Sequence, residues 1–137
     1  IHRDHDEFPY LCRSPLFKDL LPVDLLWVAE HGWIKTWSPK QKVEYRKLIL
    51  LVLRGSAREV QSNGLEVKHG SDSLIGATDV ISGDFSNAQV NAMDEGLEAF
   101  AFPSHAFDEL LSKSSHFSRG LLRQFCTQLN QSEINAL

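Results

Sequence analysis

The sequence predicts an α+β domain in which a run of strands lies between short N-terminal helices and two C-terminal helices. Three observations support this fold class. Stretches of strand length, alternating or wholly apolar, occupy much of residues 33–60. An Asn-Gly pair and several glycines then separate shorter strand-like stretches up to residue 102, and after Pro103 the apolar residues recur every three or four positions. Because strands and helices are segregated along the chain, the order argues against a doubly wound parallel sheet.

Two short helices are predicted ahead of the strands. The first follows Ser14, with Pro15 as a suitable first helical residue, and the second covers residues 22–32, which begin with proline and end with glycine. The chain has 137 residues, which suits one domain with a core of its own. We interpret residues 1–13 as a polar lead-in and residues 14–137 as the domain.

The central strands are predicted from alternation and from apolar runs. Residues 33–37 alternate, and residues 48–53 are apolar throughout, as in a strand buried on both faces. Gly55 is expected to end that strand, so that residues 56–60 pair with it across a turn. Asn63-Gly64 is the strongest hairpin signal in the chain, and a further strand is expected directly after it.

A stretch punctuated by glycines, residues 70–83, is predicted to be mostly loop. Residues 88–92 and 97–102 are predicted to form two more strands, joined by a turn at residues 94–96. The expected total is about seven or eight short strands.

The C-terminal part is predicted to form two helices. Ser104 is a suitable N-cap for the first. The second starts at about Phe117 and carries an apolar stripe at helical spacing. The residues of this stripe are Phe117, Leu121, Leu122, Phe125 and Leu129. Such a stripe packs on its own domain or forms a two-helix seam with a second copy of the chain.

The charge distribution restricts the partners. The net charge is −4, and residues 69–137 contain 3 Lys or Arg against 9 Asp or Glu. No Lys or Arg lies between Lys68 and Lys113. This argues against nucleic-acid binding by the chain alone, as does the lack of a helix-turn-helix pattern after residue 130. No apolar run reaches the roughly 20 residues that a membrane helix needs, so we predict a cytoplasmic protein with no membrane partner.

No pattern in the sequence predicts catalysis or a cofactor. The histidines at 69, 105 and 116 have no evident Ser or Cys partner, and Cys12 and Cys126 are too far apart to form a metal motif. The glycine spacing at residues 70–76 is not that of a Walker or dinucleotide loop. We therefore predict that the chain is not an enzyme and has no cofactor and no metal.

Two clusters have a second interpretation that stays open. In the polar start of the chain, His2 and His5 lie one helical turn apart. We interpret this stretch as a loose lead-in, and the alternative interpretation is a metal site. A basic cluster is interpreted as a solvated strand edge, with an acidic partner as its alternative. The cluster consists of Lys35, Lys40, Lys42, Arg46 and Lys47.

The middle of the chain contains three features in order. A strand ends in glycine, a glycine-rich segment then leads into a loop, and a further strand leaves that loop. The pieces are Leu50-Leu51-Val52-Leu53-Arg54-Gly55, His69-Gly70-Ser71, Leu74-Ile75-Gly76 and Ala88-Gln89-Val90-Asn91-Ala92. Their order resembles the cyclic-nucleotide-binding domain of the catabolite activator and kinase regulatory-subunit family. The resemblance implies a β-roll or jelly roll of about eight antiparallel strands, C-terminal hinge and dimerisation helices, and a phosphate-binding cassette at residues 76–89.

The cassette departs from the family at the positions that hold the ligand. Ala77 stands where the family has the glutamate that binds the ribose, Ser86 stands where it has the arginine that binds the phosphate, and Gln89 replaces a small hydroxyl residue. Asp79 and Asp84 add negative charge to the same segment. A hydrogen bond to a charged group contributes about 1.5–3 kcal/mol, so its loss lowers the affinity roughly ten- to a hundredfold. Upstream, Lys40-Gln41 stands where the family has Gly-Glu, and the hairpin that follows is a few residues short.

With these departures the sequence predicts a non-enzymatic regulatory or sensor domain in a signalling protein or transcription regulator. It would not bind a cyclic nucleotide in the usual way, and it would act as a homodimer or through another domain of the parent protein. The alternative is a receptor for a cyclic mono- or dinucleotide that uses other contacts. In that case the expected ligand contacts are Gly76, Ala77, Thr78, Asp79, Ser86, Asn87 and Gln89.

Overall fold

The structure is a computed structural model that describes residues 11, 14, 16–77 and 88–136, with the backbone alone for residues 127–136. The described elements confirm the α+β class. They are α1 (Pro22–His31), β1 (Trp33–Trp37), β2 (Leu48–Val60), β3 (Glu66–His69), β4 (Leu74–Ile75), β5 (Gln89–Pro103), α2 (Ser104–Lys113) and α3 (Ser115–Ala136).

The strands form one antiparallel sheet around the long pair β2 and β5. Its order is β1-β5-β2-β3, and the short strand β4 pairs with the other end of β2. The predicted hairpin at Asn63-Gly64 joins β2 to β3, with Val60 opposite Glu66 and Ala57 opposite His69. The β-roll expectation is confirmed, although five strands rather than about eight lie within the described residues.

The count is lower because two predicted breaks are bends inside continuous strands. β2 passes through Gly55 and β5 passes through residues 94–96, where we expected turns. Both glycines, Gly55 and Gly96, have φ +77, and the register shifts between Gly55 and Ala57. A bulge of this kind bends a strand without ending its pairing. The two glycines therefore mark bulges inside β2 and β5, and not the turns that we predicted.

The apolar run at the start of β2 supplies both faces of the sheet, as predicted for a strand buried on both sides. Ile49 and Leu51 belong to a core between the sheet and the helices, here called the helix-side core. Leu50 and Val52 belong to a second core inside the roll, here called the roll core. The roll core also contains Trp37, Val43, Ala57, Ile75, Val90, Ala92, Leu97, Ala99 and Ala101.

Four phenylalanines fasten the helices to the sheet in the helix-side core. Phe102 of β5 lies with its ring centroid 6.1 Å from Phe17 and 5.9 Å from Phe107 of α2. Phe117 of α3 stacks on Phe17 at 5.7 Å and meets Phe107 edge-on at 5.4 Å. Because these contacts join the N-terminal turn, β5, α2 and α3, they determine where the two helices lie on the roll.

The helix predicted after Ser14 is a turn at residues 16–19 in the part of the chain that the structure describes, and the two C-terminal helices start a residue or two from where we expected. Ser104 is the first residue of α2 rather than its N-cap, and Pro103 in the cap position makes no side-chain bond. The serine that caps a helix is Ser114, whose Oγ accepts the backbone N–H of Phe117 at 3.1 Å. α3 therefore begins at Ser115, two residues before the predicted start.

The basic cluster is divided between the edge of the sheet, where Lys35, Lys40 and Lys42 lie, and the turn before β2, which contains Arg46 and Lys47. After β1, the chain runs beside β5, with the Lys40 N–H donating to Ala92 and the Val43 N–H donating to Val90. Lys40, like Lys47, has a left-handed backbone conformation, and both side chains are exposed. The strand-edge interpretation thus fits the first three of these residues, and an acidic partner stays the alternative.

Candidate functional site

The first part of the cassette is held against the middle of the sheet. Leu74 and Ile75 of β4 pair with Leu51 and Leu50, so the cassette starts directly on the central strand. Gly76 follows with φ +92, and a Cβ atom there would lie 2.9 Å from the carbonyl oxygen of Leu48. Only glycine fits this combination of backbone conformation and close approach without strain.

The described candidate contacts of the cassette carry no charge. Ala77 is 2% exposed and packs in the helix-side core, while Gln89 is exposed at the start of β5. The other predicted contacts lie outside the described residues. These are Thr78, Asp79, Ser86 and Asn87. The structure thus places an apolar methyl group where the resemblance implies a carboxylate that accepts from a ribose.

The turn that leads into β4 contains a bonded trio that we did not predict. His69 is buried, with Nδ1 2.6 Å from Oγ of Ser73 and Nε2 3.0 Å from Oε1 of Glu59. Because the carboxylate can only accept, Nε2–H donates to Glu59, while Nδ1 shares a hydrogen bond with the Ser73 hydroxyl. The expectation that His69 lacks a serine partner was therefore wrong.

The hairpin register is the signal that could have revealed this trio. With Asn63-Gly64 as the turn, Val60 pairs with Glu66 and Ala57 pairs with His69, so Glu59 lies diagonally opposite His69. The trio joins β2, β3 and the turn after β3. Its side chains are largely buried, at 10% exposed for His69 and 16% for Glu59, which indicates a structural tie between these three segments.

We expect Glu59 to make the fold sensitive to acid. The hydrogen bond from His69 lowers the pKa of Glu59 below its ordinary value of 4.5, burial opposes this, and a bond from Gln61 adds to it. A carboxyl whose pKa is lower in the folded state stabilises the fold at higher pH and loses this contribution as the pH falls through its folded pKa. Urea unfolding should therefore show a smaller decline of stability below pH 4.5 in Glu59→Gln than in the wild type.

Glu66→Gln is the matched control, because Glu66 pairs with Arg58 on the exposed side of the same hairpin and is 53% exposed. This control should keep the acid dependence of the wild type. An identical decline in all three proteins would contradict a special role for Glu59.

A cleft of about 290 Å³ opens at the bend where β2 and β5 shift register. The Ser56 hydroxyl donates to Glu95 at this bend, and together with a backbone N–H it lowers the pKa of Glu95. The lining residues are Thr36, Trp37, Pro39, Arg54, Gly55, Glu95, Gly96, Leu97 and Glu98. None of them belongs to the predicted set, because the sequence pattern suggested two turns in this region rather than one shared bend.

The apolar stripe of α3 divides into two sides. Phe117 and Leu121 are buried in the helix-side core, and Phe125 packs partly against it. Leu122 is 64% exposed, and Cys126 one turn later is also exposed. The side chain of Leu129 lies outside the described residues. Three members of the predicted dimer stripe thus hold α3 to its own domain, and the outward side begins at Leu122.

Polar contacts fasten α3 at two further places. Arg123 pairs with Asp19 in the N-terminal turn, and the side chain of Gln124 donates to the carbonyl oxygen of Asp72. Gly120 lies close to the backbone at Leu16, where a Cβ atom would come within 2.8 Å of the carbonyl oxygen. α3 is therefore docked on the N-terminal segment and on the turn before β4.

The described residues offer neither a membrane-spanning helix nor a metal cluster. Among the described residues, no helix has the length and apolar content to cross a bilayer. The same residues contain no group of three or more His, Cys, Asp or Glu side chains placed to hold a metal ion. The histidines of the polar start lie outside the described residues.

Comparison with known proteins gives a fold but no close relative. No family model matches the sequence, and no curated protein matches it. Among solved structures, the sensor domain of the transcriptional regulator DNR from Pseudomonas aeruginosa superimposes with a TM-score of 0.70 at 18% identity, over 93% of this chain and 96% of that chain. The regulatory subunit of a cAMP-independent protein kinase A from Trypanosoma brucei superimposes with a TM-score of 0.72 at 18% identity, over 93% of this chain.

The catabolite activator protein of Thermus thermophilus has a TM-score of 0.66 at 17% identity, over 90% of this chain. The chain spans 62% of this activator and 48% of the kinase subunit. These likenesses confirm the cyclic-nucleotide-binding-domain fold that the sequence resembles. The three matched proteins are a catabolite activator, a kinase regulatory subunit and the sensor domain of a transcriptional regulator.

Proposed function

We propose that the chain is a non-enzymatic regulatory or sensor domain of a cytoplasmic signalling protein or transcription regulator, and that its cassette does not hold a cyclic nucleotide in the way typical of this fold. The observation that carries the proposal is the buried methyl group of Ala77 at the start of the cassette, 2% exposed in an apolar core. The likeness to a sensor domain and to the regulatory subunit of a cAMP-independent protein kinase A supports it.

Electrostatics argue in the same direction. A cyclic phosphate carries one negative charge, and the chain has no Lys or Arg between Lys68 and Lys113 with which to neutralise it. Asp79 and Asp84 lie in the same segment, and a like charge at about 4 Å opposes binding by about 1 kcal/mol even in water. The missing attraction and the added repulsion both lower the affinity.

A conformational change in the roll would reach the partner through α3. Its inward side, with Phe117 and Leu121, packs on the roll, and its outward side exposes Leu122 and Cys126. Leu129 continues the spacing of these two residues along the sequence. In the proposed assembly a second copy of the chain covers the outward side, so that a change in the roll alters the seam between two copies of α3.

Calorimetric titration tests the cassette. The wild type should give no saturable heat with cAMP, cGMP or a cyclic dinucleotide at millimolar concentration, since neither the carboxylate nor the guanidinium partner is present. Ser86→Arg adds one charge-assisted contact, worth about 1.5–3 kcal/mol, and should raise the affinity for a cyclic mononucleotide about tenfold or more, to a measurable level.

Asn87→Arg is the matched control, because it adds the same charge one residue away from the position that the resemblance assigns to the phosphate. It should give a smaller gain than Ser86→Arg. Micromolar binding by the wild type that Gln89→Ala weakens would contradict the proposal and establish the alternative, a receptor that uses other contacts.

A further inference from the structure

The turn made by Gly70, Ser71, Asp72 and Ser73, here called the β3–β4 turn, is the segment that positions the cassette. Only the two residues of β4 separate it from Gly76. Its backbone is bound to the central strand, with the Asp72 N–H donating to Val52 at 2.8 Å and the Val52 N–H donating to Ser73 at 2.9 Å. Any displacement of this turn therefore moves the start of the cassette relative to β2.

A side-chain bond also restrains the turn from the sheet. The Ser73 hydroxyl lies 2.6 Å from His69, whose other ring nitrogen is bonded to Glu59 of β2. Asp72 has φ +70, a left-handed conformation that aspartate tolerates better than most side chains. The turn is thus a strained segment held in place from β2 and β3.

Gln124 of α3 connects the helices to the β3–β4 turn. Its Nε2 donates to the carbonyl oxygen of Asp72, while its Oε1 is fully buried and has no hydrogen-bond partner among the described residues. A buried acceptor without a donor costs free energy, and this cost offsets part of what the hydrogen bond to Asp72 contributes. The net free energy of this docking contact is therefore small, although it joins residues 52 positions apart.

We infer that Gln124 is a positioning residue that couples the β3–β4 turn to α3, so that a shift of the cassette start releases or tightens the docking of the helix. The inference rests on the proposed function, in which α3 passes the state of the roll to a partner. A contact of small net free energy suits this role because a small change in the turn suffices to shift it. The coupling is reciprocal, so loosening either side must loosen the other.

Hydrogen exchange followed by mass spectrometry on the full chain, without nucleotide, measures this coupling. Gln124→Met keeps the side-chain length and removes the donor together with the orphaned acceptor. We expect the amides of residues 70–77 to exchange about two- to threefold faster in this variant, because the net free energy of the contact is small. Gln124→Glu also removes the donor to Asp72 and should raise exchange in the same segment.

Arg123→Met is the matched control on the neighbouring residue. It breaks the pair with Asp19 and so disturbs α3 at the N-terminal segment, but it should leave exchange in residues 70–77 unchanged. Faster exchange at residues 70–77 in Arg123→Met, equal to that in Gln124→Met, would show general loosening of α3 and overturn the inference.

Ser73→Ala tests the reverse direction. By removing the bond to His69 it should loosen the turn and raise exchange in residues 121–126, and this increase should disappear when Gln124→Met is already present. An increase in α3 that persists in the double variant would overturn the inference. None of these exchange measurements involves a ligand. Nucleotide binding in the calorimetric titration would therefore overturn the proposed function, whereas the exchange data alone decide whether Gln124 couples the turn to α3.

Discussion

Replacing Gly55 with alanine is expected to destabilise the fold by about 2–5 kcal/mol, a large part of the roughly 5–15 kcal/mol available to a domain. Gly55 has φ +77, and an added methyl group would overlap the carbonyl oxygen of Gly96 and come within 2.9 Å of its carbonyl carbon. The neighbour is backbone rather than a flexible side chain, so β2 and β5 would have to separate at their shared bend. Urea unfolding monitored by circular dichroism measures the loss.

Gly64→Ala is the matched control for this substitution. Gly64 has φ +85, yet an added Cβ would have no heavy atom within 4 Å. It isolates the cost of the left-handed backbone, about 1 kcal/mol. Equal losses in the two variants would mean that the close approach of β2 and β5 does not matter for stability.

Phe117→Ala is expected to cost about 3–5 kcal/mol, as for other buried aromatic residues. The ring is fully buried between Phe17 and Phe107, and its removal leaves a cavity where α3 meets the N-terminal segment and α2. Leu122→Ala on the same helix should change stability by less than about 0.5 kcal/mol, because that side chain is 64% exposed. Thermal and urea unfolding of the two variants provide the comparison.

The same pair of variants separates folding from association. Sedimentation of the wild type should show a dimer, and Leu122→Ala should weaken the dimer while leaving the domain folded. A wild type that sediments as a monomer at every concentration would contradict the proposed seam. A Phe117→Ala variant as stable as Leu122→Ala would contradict the assignment of the inward side of α3.

Several features could be predicted from the sequence because they depend on neighbours in the chain. Pro22 and the helical spacing after it place α1, and Asn63-Gly64 places the hairpin between β2 and β3. The apolar run at 48–53 forms a strand buried on both faces, divided between two cores. In each case the local pattern and the final environment favour the same structure.

The cassette is the segment whose sequence indicated the fold, and its described residues are 76–77 and 88–89. Its order of glycines indicated the fold, and the solved structures confirm that fold. Gly76 and Ala77 directly follow β4, and Ala77 is buried in the helix-side core. The prediction that the cassette holds no cyclic nucleotide in the usual way stays a prediction, because it depends on an affinity.

The sequence by itself determined the fold class, the hairpin, the charge gap after Lys68 and the departures at Ala77 and Ser86, since all of these are properties of residue type and local order. Tertiary structure alone decided that Gly55 and Gly96 form one bend and that α3 turns Phe117 inward and Leu122 outward. It also decided that Gln124 meets the turn at Asp72. These depend on pairings between residues tens of positions apart, and local propensity carries no information about which distant backbone or carbonyl a residue will meet.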